Sequence, residues 1–86
     1  MSRVTVYSTG TCSICDQAKS LLGKWNIDFT DKRIDTDDAL FKEFSEATQG
    51  ARTVPQIVIE GELIGGFAEL TEMHMDGGLD HLMTEA

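Results

Sequence analysis

Eighty-six residues with 41% hydrophobic content allow one small core, and 15 acidic against 7 basic residues leave a net charge of −8. A chain of this size buries only about 60–65% of its unfolded surface, and its two cysteines are too few for a disulfide-stapled scaffold. The acidity excludes nucleic acid as a partner, because phosphate contacts need clustered Lys and Arg, and no run approaches the ~20 apolar residues of a membrane span.

Arg3-Val4-Thr5-Val6-Tyr7 alternates and is rich in β-branched residues, which predicts a first strand ending in a Ser8-Thr9-Gly10 loop. That alternation is not the apolar run of a signal peptide, so none is expected. A cytoplasmic, reducing compartment follows as the expectation. Ile14, Ala18, Leu21, Leu22 and Trp25 then fall at i, i+4, i+7, i+8 and i+11, the apolar face of a helix. Gly23 and Asn26 are its stop signals. Residues 27–34 form a weaker strand, with Ile27, Phe29 and Ile34 inward among charges. Asp35-Thr36-Asp37-Asp38 reads as the cap and acidic first turn of a second helix. Its apolar face is Leu40, Phe41, Phe44 and Ala47, and it ends near Gln49-Gly50.

Val54-Pro55-Gln56-Ile57-Val58-Ile59 is a strand led by proline, where a missing N–H is tolerated. Glu60-Gly61-Glu62 turns it back into Leu63-Ile64 as a hairpin. Gly65-Gly66 opens a third helix carrying Phe67, Leu70 and Met73 or His74. Gly77-Gly78 breaks that helix before a short terminal one with Leu79, Leu82 and Met83. The order β-α-β-α-β-β-α-α predicts a single α/β domain over residues 1–86. It is a four-stranded mixed sheet flanked by helices, a parallel βαβ half joined to an antiparallel hairpin. Trp25, Phe29, Phe41 and Phe44 are expected in the packing, and Tyr7 near the cysteine loop.

Cys12-Ser13-Ile14-Cys15 stands where the first strand meets the first helix. Helical residues three apart have Cβ atoms roughly 5–6 Å apart, within reach of a disulfide. Closing so short a loop removes little chain entropy, on the order of 2 kcal/mol, so the pair suits redox exchange better than stapling. Cys12 at the helix start faces unpaired N–H groups and the positive end of the dipole, which favour a thiolate nucleophile. Cys15, one turn in, is expected to be the shielded, resolving thiol. A zinc site with His74 and His81 fails on spacing; no metal is expected, and the two histidines receive no role.

Cys12-Ser13-Ile14-Cys15, Thr53-Val54-Pro55, Gly65-Gly66 and Gly77-Gly78-Leu79-Asp80, in that order across residues 3–83, resemble the glutaredoxin family. The resemblance implies a thioredoxin-like fold, a cis peptide before Pro55 and a groove for glutathione beside Cys12. It implies that Thr53, Val54 and Pro55 line the groove, with Val54 pairing to the glutathione backbone as a strand does. Arg52 and Lys42 become candidates for the glycine carboxylate of glutathione. Gly66, Phe67, Ala68 and Glu69 become candidates for its γ-glutamyl end, at a helix entrance suited to a carboxylate. The implied activity is glutathione-dependent reduction of protein disulfides and of glutathione mixed disulfides, with Cys12 attacking and Cys15 resolving.

Three positions depart from the family pattern. Thr9 stands where a Lys is common, Ser13-Ile14 replaces Pro-Tyr, and Ala68-Glu69 replaces a polar residue followed by Asp. Two competing readings follow from the same resemblance. One is a hydrogen donor recycled by thioredoxin reductase, with ribonucleotide reductase among its partners. The other, motivated by Ser13, is a [2Fe–2S] carrier in which two subunits each supply Cys12 and one glutathione; outside that case a monomer is expected.

Overall fold

The computed structural model describes residues 3–82, the side chain of His81 excepted. Its elements are β1 (Val4–Ser8), α1 (Ser13–Lys24), β2 (Phe29–Arg33), α2 (Asp38–Ala47), β3 (Gln56–Ile59), β4 (Glu62–Gly65) and α3 (Phe67–Met75). A single 3-10 turn at Asp80–Leu82 takes the place of the expected terminal helix; Met83 lies outside the described residues. The sheet order is β2-β1-β3-β4. β1 and β2 are parallel, while β1–β3 and β3–β4 are antiparallel. This is the thioredoxin-like α/β fold.

Strand alternation divides the sheet into two unequal faces. Val4 and Val6 of β1 pair with Ile59 and Ile57 of β3, and all four are buried. Ala18 and Leu22 of α1, Ile27, Leu70 of α3 and Leu79 close over them as one apolar cluster. The opposite face carries Tyr7, which packs edge-on against Phe44 of α2 with ring centroids 5.5 Å apart. The Tyr7 hydroxyl donates to Glu43 at 2.8 Å, so Tyr7 sits under α2 and not against the cysteine loop. Glu43 also pairs with Lys32 of β2. Burial first, and then Glu43, push the Tyr7 phenol up to about 12.

Local chemistry sets the element ends. Asn26 takes a left-handed φ of 58° just after α1, and the Ile27 N–H returns to Leu22 O at 2.9 Å. Asp37 caps α2 by accepting the Ala39 N–H at 2.8 Å. Glu60 and Gly61, at φ 52° and 83°, form the hairpin turn, the conformation that matches strand twist.

Three apolar assignments differ from expectation. Ile14 is 48% exposed and Phe41 53% exposed, and Ala47 is also exposed. Ile14 lies on the first turn of α1, outside the apolar cluster that holds Ala18 and Leu22. On α2 only Phe44 is buried, the residue that packs on Tyr7.

The packing predicts a sharp contrast. Leu22→Ala should cost about 2–5 kcal/mol in urea unfolding, whereas Phe41→Ala should stay within about 1 kcal/mol. An equal loss for the two would contradict this division of the apolar residues.

Candidate active site

β1 runs out at Ser8, and a short loop delivers Cys12 to the N-cap of α1 with extended backbone (φ −98°, ψ 105°). There Cys12 Sγ accepts the Cys15 N–H at 3.1 Å, the task a Ser or Asp oxygen performs at most helix starts. The sulfur occupies an orphan amide and faces the positive end of the helix. The thiol also donates to Val54 O at 3.7 Å, which ties it to the segment before β3.

The two cysteines, both free, differ in access: Cys12 is partly exposed and Cys15 fully buried. Burial first, then the adjoining Cys12, pushes the Cys15 thiol up to about 12. An outer sulfur open to a partner therefore sits against an inner one held as thiol. That asymmetry suits a two-step exchange.

A groove of about 410 Å³ opens beside them, lined by Ile14, Thr53, Val54, Pro55, Gln56, Gly66, Phe67, Ala68 and Glu69. The Val54–Pro55 peptide is cis. The structure thus brings Thr53, Val54, Pro55, Gly66, Phe67, Ala68 and Glu69 together. Arg52 and Lys42, the latter on α2, are exposed and lie outside this lining. Ile14 and Gln56 join the lining, a place their helix-face and strand positions in the sequence do not signal. Gln56 was legible as the polar alternate of a strand, and its amide donates to Thr53 O at 3.1 Å.

At the start of α3, Glu69 Oε1 accepts the Gly66 N–H at 2.8 Å. The acidic side chain thus occupies the first amide of the entrance. Gly65 sits at φ 124°, where glycine is favoured, and a Cβ there would press on the Glu69 side chain at 3.0 Å.

Two charge clusters lie near the end of β1, one on the loop before Cys12 and one joining β1, β2 and α1. Asp35 accepts the Gly10 N–H at 2.9 Å and a two-pronged contact from Arg33 at 2.9 and 3.0 Å. Any side chain at Gly10 would collide with that guanidinium. Arg33, and then the Gly10 amide, pull the Asp35 carboxyl down to about 2. On the other side, buried Ser8 donates to Asp31 at 2.5 Å, and Asp31 accepts from Lys19 of α1 at 3.0 Å. Sequence spacing signals neither cluster, since partners up to 25 residues apart meet only through the β1–β2 register.

His74 stacks on Trp25 at 3.8 Å, which gives it a packing place distant in sequence from the cysteines.

Two outcomes follow. In Cys12→Ser, the remaining Cys15 should alkylate with iodoacetamide at pH 8 roughly a hundred-fold more slowly than a small free thiol; rapid labelling would contradict its burial. The Asp35 carboxyl is lowered on folding, so its support of the loop is complete above its unfolded value near 4 and is lost as pH falls through about 2. Asp35→Ala should therefore speed hydrogen exchange of the Gly10 amide roughly ten-fold at pH 5. An unchanged rate would show that the clamp does not hold the loop.

Comparison with known proteins agrees with this geometry. The glutaredoxin family model matches residues 4–64. Glutaredoxin 3 of Escherichia coli strain K12 is 37% identical over 83 residues, covering 96% of this chain and 99% of that protein. A dithiolic glutaredoxin of Trypanosoma brucei brucei superposes with a TM-score of 0.81 at 33% identity, over 96% of this chain and 88% of its own. A buckwheat glutaredoxin–glutathione complex superposes with a TM-score of 0.80 at 28% identity, over 95% and 76%. With two free thiols at one helix start supporting thiol oxidoreductase chemistry, this chain belongs to the glutaredoxin family.

Proposed function

We propose that the protein reduces protein disulfides and glutathione mixed disulfides, with glutathione as the electron donor. The observation that carries this reading is the placement of the Cys12 sulfur, capped by the Cys15 amide and touching Val54, the residue that also lines the adjoining groove. The buckwheat relative is described in complex with glutathione, which supports the same ligand here.

In the deglutathionylation route, Cys12 attacks the glutathione sulfur of a mixed disulfide. The old S–S bond breaks, the protein thiolate leaves and takes a proton, and Cys12 carries glutathione. A second glutathione thiolate attacks that sulfur, forms glutathione disulfide and returns Cys12 to its reduced state. Glutathione would extend along Val54 as an added strand, with its γ-glutamyl end toward the Phe67 and Ala68 amides at the start of α3. Glu69, already turned onto Gly66, is then placed for the α-amine. Arg52 and Lys42 are exposed and would act on the glycine carboxylate only at longer range. Ile14 and Phe67 supply apolar walls. In the second route, a protein disulfide is opened by Cys12 and resolved by Cys15, whose burial keeps it out of competition until the mixed disulfide has formed. Glutathione and glutathionylated or disulfide-bonded proteins are thus the partners this reading requires.

Turnover coupled to NADPH and glutathione reductase tests the proposal. Cys12→Ser should abolish activity on both substrate types. Cys15→Ser should keep reduction of a glutathionylated peptide within about three-fold of wild type, yet lose most turnover on a peptide closed by an internal disulfide. Activity retained in Cys12→Ser would overturn the assignment. Turnover with thioredoxin reductase in place of glutathione and its reductase would favour the competing hydrogen-donor reading.

A further inference from the structure

The second route asks a buried sulfur to become an anion, and the fold places the Lys19 cation on the same face of α1. Lys19 follows Cys15 by four residues on α1, so the two share a helical face. Helix side chains lean back toward the N-terminus, which carries the Lys19 ammonium toward the turn that holds Cys15. Its 3.7 Å approach to Asp16, three residues earlier, shows that direction. The lysine side chain is 20% exposed. It is clamped at 3.0 Å by Asp31 of β2, which in turn accepts from fully buried Ser8 of β1 at 2.5 Å. Three elements, α1, β2 and β1, therefore converge to fix one ammonium on the helical turn that follows Cys15. Burial and Cys12 push the Cys15 thiol up, while the Thr9 backbone and the Lys19 charge pull it back down.

We propose that Lys19, held by Asp31 and Ser8, is a positioning residue for the resolving step, stabilising the charge on Cys15 as that sulfur attacks the Cys12 mixed disulfide. This rests on the dithiol route proposed above. In that step the Cys15 thiol releases its proton to solvent and its sulfur bonds to Cys12 Sγ. The Cys12–substrate S–S bond breaks, and the electron pair leaves on the substrate sulfur, which takes up a proton. The substrate disulfide is thereby reduced by two electrons and the enzyme pair oxidised by two. Deglutathionylation through Cys12 alone does not use the Cys15 charge and is indifferent to Lys19.

The test is a ratio measured on one sample. Wild type, Lys19→Met and Lys19→Arg are each assayed with a glutathionylated peptide and with a peptide closed by an internal disulfide. Rapid quenching and mass spectrometry follow the Cys12–peptide adduct. Lys19→Met should lower kcat on the internal disulfide roughly five- to ten-fold relative to the glutathionylated peptide, with the adduct accumulating. Lys19→Arg should restore most of the ratio. A fraction of unfolded protein would scale both activities equally and leave the ratio alone. An unchanged ratio in Lys19→Met, or no recovery in Lys19→Arg, overturns the inference while the assigned activity stands. If wild type turns over neither peptide, it is the functional proposal that fails.

Discussion

A single contact, the Cys15 amide donated to the Cys12 sulfur at 3.1 Å, joins structure and chemistry in this protein. A helix needs something at its start to accept its first amides. Here the acceptor is the reactive atom itself. The cap fixes where the sulfur points and aims the helix dipole at it. It also sets Cys15 one turn deeper, against the sheet. Moving the cap by one residue would turn the second cysteine away from the first.

The rest of the fold serves that contact from both sides. The apolar cluster of Val4, Val6, Ala18, Leu22, Ile57 and Ile59 anchors α1 on the sheet and buries its Cys15 face. β3 enters from Val54–Pro55, which brings a backbone carbonyl to the sulfur, and α3 begins across the groove at Gly66 and Phe67. The groove therefore has walls from three separate segments, each set by a different part of the sheet. Thr9, which stands in place of a common family lysine, adds no charge here. The nearby cations come from other elements, Arg33 paired to Asp35 on one side and Lys19 paired to Asp31 on the other.

Much of this was legible because the informative signals are local. Period-two alternation located β1 and β3, and the 3.6-residue stripe located α1. Asn26 marked its end, and the Cys12–Cys15 spacing on a helix start defined the redox pair. What escaped notice depends on contacts between distant segments. Periodicity identifies an apolar stripe but not its width, so it places Ile14 and Phe41 in the packing although both are half exposed. Ile14 instead borders the groove, an arrangement that depends on where Thr53 to Gln56 pass. The Ser8–Asp31–Lys19 chain and the Gly10–Asp35–Arg33 clamp arise from the parallel register of β1 and β2, and residue spacing does not encode that register. Arg52 and Lys42 are both exposed and outside the groove's lining, and sequence spacing does not report which way a charged side chain on a surface faces.

The tie between Gly10 and Asp35 has a mechanical side. Among the described residues β2 is an outer strand, bonded to the sheet through β1, and local opening is easiest where few contacts hold a segment. Because the turn leading into α1 is fastened to the residues just after that strand, the two segments must loosen as one unit. The margin of the sheet is therefore joined, through one carboxylate, to the turn that carries the reactive atom.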